Sequence, residues 1–409
     1  MLHNKTVLLC VGGGIAAYKS ADLVRELGRQ GATVQVAMTA AACRFITPLT
    51  LQTLSGRPVA TDLLNAGEEA EIGHITIADQ ADVVIVAPAT ANLIARMAQG
   101  RADDVVTAAL LATRAPVVVA PSMNTNMLEH PAVVSNLERL ADFGYRIVEP
   151  DNGELACGWE GRGRLPDSDV LVEELQAALS CQDLAGLRVL VSAGPTREAL
   201  DPVRYLSNRS SGTMGYEIAR AARRRGAEVT LVSGPTALSA PVGCRRIAVE
   251  SAADMAEAMR QRVTDADIVV MVAAVADYRP LNPADRKIKK PSVGGDAGLR
   301  LELEQTEDIL ASLARARGNR VVVGFAAETH DLERHARDKL ERKGVDLIVA
   351  NDVSAEGSGF GSPTNSALLI DRQGRVERSG LVGKDELAGL ILDRALALRV
   401  PVAMVAGAS

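Results

Sequence analysis

The sequence has 409 residues, enough for two or three domains. Its net charge of −6 argues against a general nucleic-acid-binding or membrane-binding surface. Hydrophobic residues make up 47% of the chain and aromatic residues only 2%, a composition that suits parallel sheets covered by helices. The five cysteines are widely spaced, which favours neither a disulfide framework nor a zinc site. Because no signal peptide or membrane-spanning run is evident, we expect a cytoplasmic protein.

Strands, glycine-rich turns and helices alternate along the first half of the chain. TVLLCV (6–11) reads as a strand and is followed by three glycines, a helical pattern over 15–29 and a second strand in GATVQVAMT. Further strands are predicted in ADVVIVAPATA (81–91), APVVVAP (115–121) and YRIVEP (145–150). The glycine-rich segment 153–166 predicts an irregular loop or flap, because glycine at that density disfavours helices and strands.

The same order of elements begins again near Leu187. A strand in LRVLVSAGPT precedes a helix around 214–225, and later strands are predicted in ADIVVMVAAVAD, RVVVGFAAE and VDLIVAND. We therefore predict an α/β fold of two doubly wound, Rossmann-like domains at 1–180 and 187–409, with an approximate linker at 167–186. Ligands of such sheets bind at the carboxyl ends of the strands, so the loops there are the candidate sites.

The segment GGGIAA follows a strand and opens a helix, an arrangement in which backbone N–H groups can approach a phosphate. A nicotinamide enzyme should also carry an acidic residue after the second strand, where this chain has Thr39. A flavin mononucleotide therefore fits better than NAD, and an NAD(P)-dependent oxidoreductase is the weaker alternative. A second hydroxyl-bearing loop, PATANLIA, suits flavin contacts, although Thr90 could equally be a helix cap.

Other single residues have two interpretations on local grounds. His74 could be structural, Asn124 could cap the next segment or orient a substrate carboxylate, and Cys157 could be a small buried hydrophobe. SNRSSGTMG (207–215) can form an anion nest, although it lacks the ending of a Walker P-loop. The basic run DRKIKKP (285–291) is either a solvated loop or a clamp for a triphosphate.

The order of the motifs resembles two known enzyme families. GGGIAAYK, GHI, APATA, PSMNTNM and ACG resemble flavin-dependent cysteine decarboxylases, and SAGPTRE, AAVADYRP, KIKK, GFAAET and ANDVS resemble phosphopantothenoylcysteine synthetase domains. Over nearly its whole length the chain resembles the bifunctional bacterial coenzyme A biosynthesis proteins. The resemblance implies CTP-dependent ligation of 4′-phosphopantothenate to L-cysteine through an acyl-cytidylate, followed by FMN-dependent oxidative decarboxylation to 4′-phosphopantetheine.

The resemblance also implies roles for residues of the first domain. Cys157 on a flap would be the proton donor, His74 would assist proton abstraction, and Asn124 would hold the substrate carboxylate. Relatives commonly have serine at the position of Gly12, which removes one hydroxyl contact to the phosphate. The FMN contacts implied are Gly13, Gly14, Thr39, Thr90, Ala91 and Ser122.

For the second domain the resemblance implies that Asn208 binds the substrate or acyl-cytidylate carbonyl and that Lys287 is catalytic. Thr213 stands where a lysine is common. Mg²⁺ accompanies CTP, but its ligands are not assigned. The CTP-binding residues implied are Ala273, Asp277, Lys287, Thr306, Glu307, Asp308, Ile309, Phe325, Lys339 and Lys343.

Assembly and partners follow from the same resemblance. It implies a high-order homo-oligomer, built from decarboxylase trimers and ligase dimers, that binds small-molecule substrates and neither nucleic acid nor membrane. A non-catalytic binding protein on the same scaffold is the other alternative. The presence of His74, Asn124 and Cys157 together speaks against it.

Overall fold

Parallel sheets flanked by helices make up both halves of the chain in the computed structural model. The structure describes residues 2–63, 73–155, 158–289, 299–328, 331–352, 357, 359 and 361–399. The chain divides into two units, which we call unit 1 (Met1–Cys181) and unit 2 (Gln182–Ser409). None of the described helices has the length and apolar character needed to cross a membrane.

Unit 1 alternates strands and helices from its first strand onward. Its strands are β1 (Thr6–Val11), β2 (Thr33–Met38), β3 (Val59–Ala60), β4 (Val83–Ala89), β5 (Val117–Pro121), β6 (Arg146–Ile147), β7 (Asp151–Glu154) and β8 (Glu160–Arg164). Its helices are α1 (Ser20–Arg29), α2 (Pro48–Ser55), α3 (Gly73–Asp79), α4 (Ala91–Ala98), α5 (Val105–Ala112), α6 (Thr125–Leu128), α7 (Pro131–Asp142) and α8 (Ser168–Leu179), with 3₁₀ helices at Ile15–Lys19 and Ala42–Arg44.

The main sheet of unit 1 is parallel and has the strand order β3-β2-β1-β4-β5-β6. Successive residues of β1 point to opposite faces: Val7 and Leu9 join the core beneath α1 and α8, whereas Leu8 and Cys10 join the core beneath α4 and α5. Every residue of β4 and β5 is buried, as expected for strands covered on both faces. The strand order reverses between β1 and β4, so the loops after these two strands border the crevice in which such sheets bind ligands.

Two segments of unit 1 differ from the sequence expectations. Residues 168–179, within the predicted linker, form α8, and Leu171 and Leu175 of this helix are buried in the unit 1 core. The segment expected to be an irregular flap is instead an antiparallel hairpin of β7 and β8. That expectation was wrong because the glycines of β8 serve a close approach to a neighbouring loop, as described below.

Unit 2 repeats the alternation and adds an antiparallel end. Its strands are β9 (Arg188–Ala193), β10 (Arg197–Ala199), β11 (Tyr205–Ser207), β12 (Glu228–Ser233), β13 (Arg245–Ala248), β14 (Ile268–Met271), β15 (Tyr278–Pro280), β16 (Leu303–Gln305), β17 (Val321–Glu328), β18 (Leu347–Asp352), β19 (Thr364–Asp371) and β20 (Val376–Gly383). Its helices are α9 (Thr213–Arg224), α10 (Ala252–Val263), α11 (Ile309–Arg315), α12 (Leu332–Lys343) and α13 (Lys384–Ala397).

The main sheet of unit 2 has the order β13-β12-β9-β14-β17-β18-β19-β20, parallel as far as β18 and antiparallel beyond it. Helices α9 and α13 cover one face and share a core with Val191 and Val270. Helices α10, α11 and α12 cover the other face and share a core with Leu190 and Val269. The predicted fold of two doubly wound α/β sheets is confirmed, and in unit 2 the strand order reverses between β9 and β14.

Candidate active sites of the two units

The glycine turn after β1 packs tightly against the loops that follow β2 and β4. A Cβ atom on Gly13 would lie 2.3 Å from the Cβ of Ala41, so only glycine allows this approach. The N–H of Gly12 donates a hydrogen bond to the carbonyl of Pro88 at 3.0 Å. A Cβ on Gly14 would lie 3.3 Å from the Cγ2 of Thr90. The structure thus brings the predicted residues Gly13, Gly14 and Thr90 together at one edge of the sheet.

The hydroxyls of Thr39 and Thr90 both have protein partners. Thr90 is the N-cap of α4 and its Oγ1 accepts a hydrogen bond from the N–H of Leu93 at 3.3 Å, as in the helix-cap interpretation. The N–H of Thr39 donates to the carbonyl of Val11 at 3.1 Å, and the Thr39 Oγ1 accepts from the N–H of Ala42 at 3.2 Å. Thr39 therefore lies directly beside the end of β1, and Ala91 is the first residue of α4.

The loop after β5 carries Ser122 and Asn124 and is joined to the hairpin of β7 and β8. The Ser122 hydroxyl and the N–H of Met123 both donate to the carbonyl of Gly163, at 3.3 and 3.0 Å. Gly163 has a φ of +141°, and a Cβ there would lie 2.0 Å from the carbonyl oxygen of Met123. Asn124 caps α6, its Oδ1 accepting a hydrogen bond from the N–H of Asn126 at 2.9 Å. Glycine at 163 is required for the hairpin to lie against this loop.

Of the two remaining residues predicted for unit 1, the structure describes His74 but not Cys157. Cys157, between β7 and β8 in sequence, lies outside the described residues. His74 is the second residue of α3, a helix that packs against α5. Its Nδ1 atom is buried and has no hydrogen-bond partner in the described part of the chain. A buried ring nitrogen of this kind is an unused group that a bound ligand could satisfy.

Unit 2 contains a cavity of about 1030 Å³ at the carboxyl ends of its strands. It brings together nearly all the residues predicted for this domain. Lys287 is the exception, being exposed and absent from the described residues that line the cavity. The predicted residues lining the cavity are Asn208, Ala273, Asp277, Thr306, Glu307, Asp308, Ile309, Phe325, Lys339 and Lys343.

Buried hydroxyls hold the loop after β14 in place at the cavity. The Oγ of Ser192 accepts hydrogen bonds from the N–H groups of Val272 and Ala273, both at 3.1 Å. The Oγ1 of Thr196 accepts from the N–H of Ala276 at 3.0 Å. Asn208 donates through Nδ2 to the carbonyl of Ala274 at 3.0 Å. Asn208 is therefore positioned against the same loop that presents Ala273 to the cavity.

Charges of both signs line the cavity. Lys343 forms an ion pair with Asp308, the N-cap residue of α11. Burial raises the pKa of Asp308, but the hydrogen bonds from Lys343 and the N–H of Ala311, together with the charges of Lys343 and Arg342, outweigh burial and leave the pKa below its ordinary value. Asp308 is thus an anion in the folded protein, and Lys339 of α12 is a further cation that lines the cavity.

The segment around Lys287 is anchored outside the cavity wall. The N–H of Ile288 donates to the buried carboxylate of Asp201 at 3.1 Å, and Arg204 donates to the carbonyl of Ile288. Burial raises the pKa of Asp201, but three backbone N–H donors outweigh burial and leave this pKa below its ordinary value. The backbone of the basic run is thus anchored at Ile288, and residues 290–298 lie outside the described part of the chain.

Several residues that line the cavity were not singled out by the sequence. Arg342, Asn351, Gly359, Asn365 and Lys384 all contribute. Asn351 is the next-to-last residue of β18 and lies in the motif ANDVS, Asn365 is the second residue of β19, and nothing local marks Lys384. Among the described residues no group of three His, Cys, Asp or Glu side chains could hold a metal ion.

Comparisons with known proteins agree with this two-unit α/β architecture. A flavoprotein family model matches residues 1–180, and the model described as DNA/pantothenate metabolism flavoprotein C-terminal domain matches residues 184–398. The chain is therefore of the flavoprotein class in its first half. It is 47% identical over 402 residues to the coenzyme A biosynthesis bifunctional protein CoaBC of Bacillus subtilis, covering 97% of this chain and 98% of that one.

The CoaBC protein of Vibrio cholerae is 50% identical over 392 residues, covering 96% of this chain and 98% of the relative. A crystal structure of the C-terminal domain of a CoaBC protein is 41% identical with a TM-score of 0.46, covering 54% of this chain and 98% of that one. The chain belongs to the family of coenzyme A biosynthesis bifunctional proteins. It is a bifunctional enzyme with phosphopantothenate–cysteine ligase and phosphopantothenoylcysteine decarboxylase activities, which confirms the predicted function.

Proposed function

We propose that unit 2 catalyses the ligation and unit 1 the decarboxylation, at the two sites described above. The observation that supports this division best is the unit 2 cavity, which gathers ten residues predicted for acid and nucleotide binding from five separate stretches of chain. The turn after β1 supports the assignment of the flavin step to unit 1. We assign residues 1–180 to the decarboxylase domain and 187–409 to the ligase domain.

The ligase step needs an activated acyl group, because a carboxylate is a poor acyl donor at neutral pH. The carboxylate of 4′-phosphopantothenate attacks the α-phosphorus of CTP, so an acyl–phosphate bond forms and pyrophosphate leaves. The amine of cysteine then attacks the acyl carbon, an amide forms and CMP leaves. Asn208 binds the acyl group at the loop after β14, and Lys339 offsets triphosphate charge from α12. Mg²⁺ binds with CTP, largely through triphosphate oxygens and water.

Lys287 is assigned to the ligase step as an exposed cation outside the described cavity wall. It immediately precedes Ile288, whose backbone is held by Asp201 and Arg204. The side chains of Lys287 and Lys289, on either side of Ile288, are both exposed and can offset the charge of a bound triphosphate.

Two observations support FMN binding by unit 1. The first is the glycine turn after β1, where a Cβ on Gly13 would collide with Ala41. The second is the buried Nδ1 of His74, which has no hydrogen-bond partner among the described residues. When bound, FMN supplies a reversible two-electron oxidation of the cysteinyl thiol, which gives the adjacent carboxylate an electron sink. The backbone N–H of Gly13 binds the phosphate, and Gly14, whose own N–H donates to the carbonyl of Gly12 at 3.1 Å, lets the phosphate approach because it has no side chain. The flavin-binding set is completed by Thr39, Thr90, Ala91 and Ser122.

The side chains of unit 1 handle the substrate and its protons. Asn124 orients the substrate carboxylate, His74 accepts a proton during thiol oxidation, and Cys157 donates a proton to the carbon from which CO₂ has left. The hairpin of β7 and β8 lies against the loop of Asn124, which supports a role for the hairpin in restricting water at the substrate.

The biological setting follows from the same assignments. We place the enzyme in the cytoplasm, where its soluble substrates occur, as a high-order homo-oligomer that binds neither nucleic acid nor membrane. The net charge of −6 supports the absence of a nucleic-acid partner.

The direct test is to incubate the purified chain with 4′-phosphopantothenate, cysteine and Mg-CTP and to follow product masses. We expect 4′-phosphopantetheine, dependent on both CTP and bound FMN. Accumulation of the undecarboxylated adduct would support the ligase alone. Absence of any product would contradict both assignments and favour a non-catalytic scaffold.

A further inference from the structure

Lys384 is a buried cation of the unit 2 cavity to which the roles above give no function. It is the first residue of α13, only 5% of its surface is exposed, and it lines the same cavity as Asn208 and Asp277. Burial lowers the pKa of Lys384, and attraction by Glu217 only partly opposes this. A lysine seldom occupies such a position unless an anion pairs with it.

The described residues offer this ammonium little compensation. Its Nζ donates to the carbonyl of Gly359 at 3.4 Å, a long hydrogen bond. The carboxylate of Glu217 on α9 is engaged in an ion pair with Arg220. In the described part of the chain no ion pair joins Lys384 to a carboxylate. Because burying an unpaired ammonium is costly, an anionic group of a ligand is the natural counter-charge.

The side of the sheet on which Lys384 lies distinguishes between the two phosphorylated ligands of the reaction. Helices α9 and α13 pack together on one face of the sheet, and α11 and α12 lie on the other. Lys384 therefore enters the cavity from the α9 side, as do Ser211 and Thr213 at the start of α9. Lys339 and Lys343, assigned to the nucleotide, enter from the α12 side.

We propose that Lys384 binds the phosphomonoester of 4′-phosphopantothenate and thereby makes the ligase specific for the phosphorylated acid. This inference rests on the proposed ligase function of unit 2. The reaction places two phosphorylated ligands in one cavity, and the α12 wall serves the triphosphate. Asn208, on the α9 side, binds the acyl carbonyl, so the remote phosphate of the acid lies at the α9–α13 wall, where its charge pairs with Lys384.

The test compares steady-state constants of the full-length enzyme and a Lys384→Met variant, which keeps the side-chain length and removes the charge. We expect the KM for 4′-phosphopantothenate to rise at least about 30-fold, since a buried charge pair is lost. The KM values for CTP and cysteine should stay within about twofold. Lys384→Arg should recover most of the loss, because it keeps the charge.

Arg334→Met is the control, because it removes an exposed cation of the same unit outside the cavity wall and should change no KM. Thermal unfolding of each variant monitors the fold, and Lys384→Gln replaces Lys384→Met if the latter does not unfold cooperatively. A rise in the KM for CTP instead would assign Lys384 to the triphosphate, and unchanged constants would leave it structural; either overturns the inference. A wild-type enzyme that forms no cysteine adduct would instead overturn the ligase function itself.

Discussion

Gly13 shows how the absence of one side chain shapes the unit 1 site. A Cβ at this position would meet the Cβ of Ala41 at 2.3 Å and its carbonyl carbon at 2.8 Å. Gly28, the next-to-last residue of α1, has no atom within 4 Å of the equivalent position. The two glycines therefore form a matched pair, one required by a close approach and one not.

Gly13→Ala should displace the loop after β2, lower the amount of flavin that copurifies and destabilise the protein by about 1–3 kcal/mol. Gly28→Ala should keep full flavin and should not destabilise the protein, with a gain below about 0.5 kcal/mol, because alanine is favoured over glycine in a helix but Gly28 lies in its last turn. Flavin absorbance and thermal unfolding measure both effects. Full flavin content and unchanged stability in Gly13→Ala would disprove the steric role.

Cys157→Ser replaces one sulfur atom by oxygen and should affect the decarboxylation without affecting the ligation. Because a serine hydroxyl is a far weaker acid than a thiol, we expect normal ligation and a decarboxylation that stalls after the substrate has been oxidised. Product masses over time measure this. Cys181→Ser is the control, since Cys181 is an exposed free cysteine and its loss should leave both steps unchanged. Normal turnover by Cys157→Ser would remove it as the proton donor.

At the scale of the element, the start of α10 depends on a reciprocal cap. The Oγ of Ser251 accepts from the N–H of Asp254 at 3.1 Å, and the carboxylate of Asp254 accepts from the N–H of Ser251 at 2.9 Å. Ser251→Ala should cost about 1 kcal/mol of unfolding free energy. Thr47→Ala, at the N-cap of α2, should cost less, because Thr47 makes no side-chain cap bond. Equal losses in urea unfolding would argue against the cap.

The same cap predicts a pH dependence. Hydrogen bonds from the N–H and hydroxyl of Ser251 hold the pKa of Asp254 below its ordinary value of 3.8, against the opposing effect of burial. A carboxylate with a lowered folded pKa stabilises the fold above the unfolded value and loses that contribution as pH falls through the folded value. Asp254→Asn should therefore be less stable than wild type at pH 7, and the gap should close below about pH 4. A gap independent of pH would contradict this.

On the scale of the whole molecule, each unit has its own cores and its own family model. We therefore expect each reaction to be completed within its own unit and the cysteine adduct to be a diffusible intermediate. Lys287→Gln should cripple acyl-cytidylate formation and spare the flavin step. Mixing this variant with Cys157→Ser should restore 4′-phosphopantetheine formation, detected by mass.

The control for this mixture is each variant alone, which should form almost no 4′-phosphopantetheine. Failure of the mixture, with each variant still active in its intact step, would mean that the adduct does not pass between chains. Normal ligation by Lys287→Gln would instead remove Lys287 from the ligase site.

Sequence by itself determined the elements whose signal is local. Runs of β-branched residues such as 6–11 and 83–89 can be buried only as inner strands, and the glycines after β1 mark a turn that no other residue allows. The motifs around Asn124 and Asn208 were sufficient to indicate both chemistries and to place most candidate residues at the ends of strands.

Only the tertiary structure decided which of these ends meet. β1 and β4 are neighbours although more than 70 residues separate them, so the contact of Gly14 with Thr90 depends on strand order. The hairpin at 151–164 forms because Gly163 packs on Met123, a partner that local composition does not reveal. Lys384 is distant in sequence from every other predicted ligand. Its burial follows from the packing of α13 on α9, since desolvation depends on neighbours brought together by the fold.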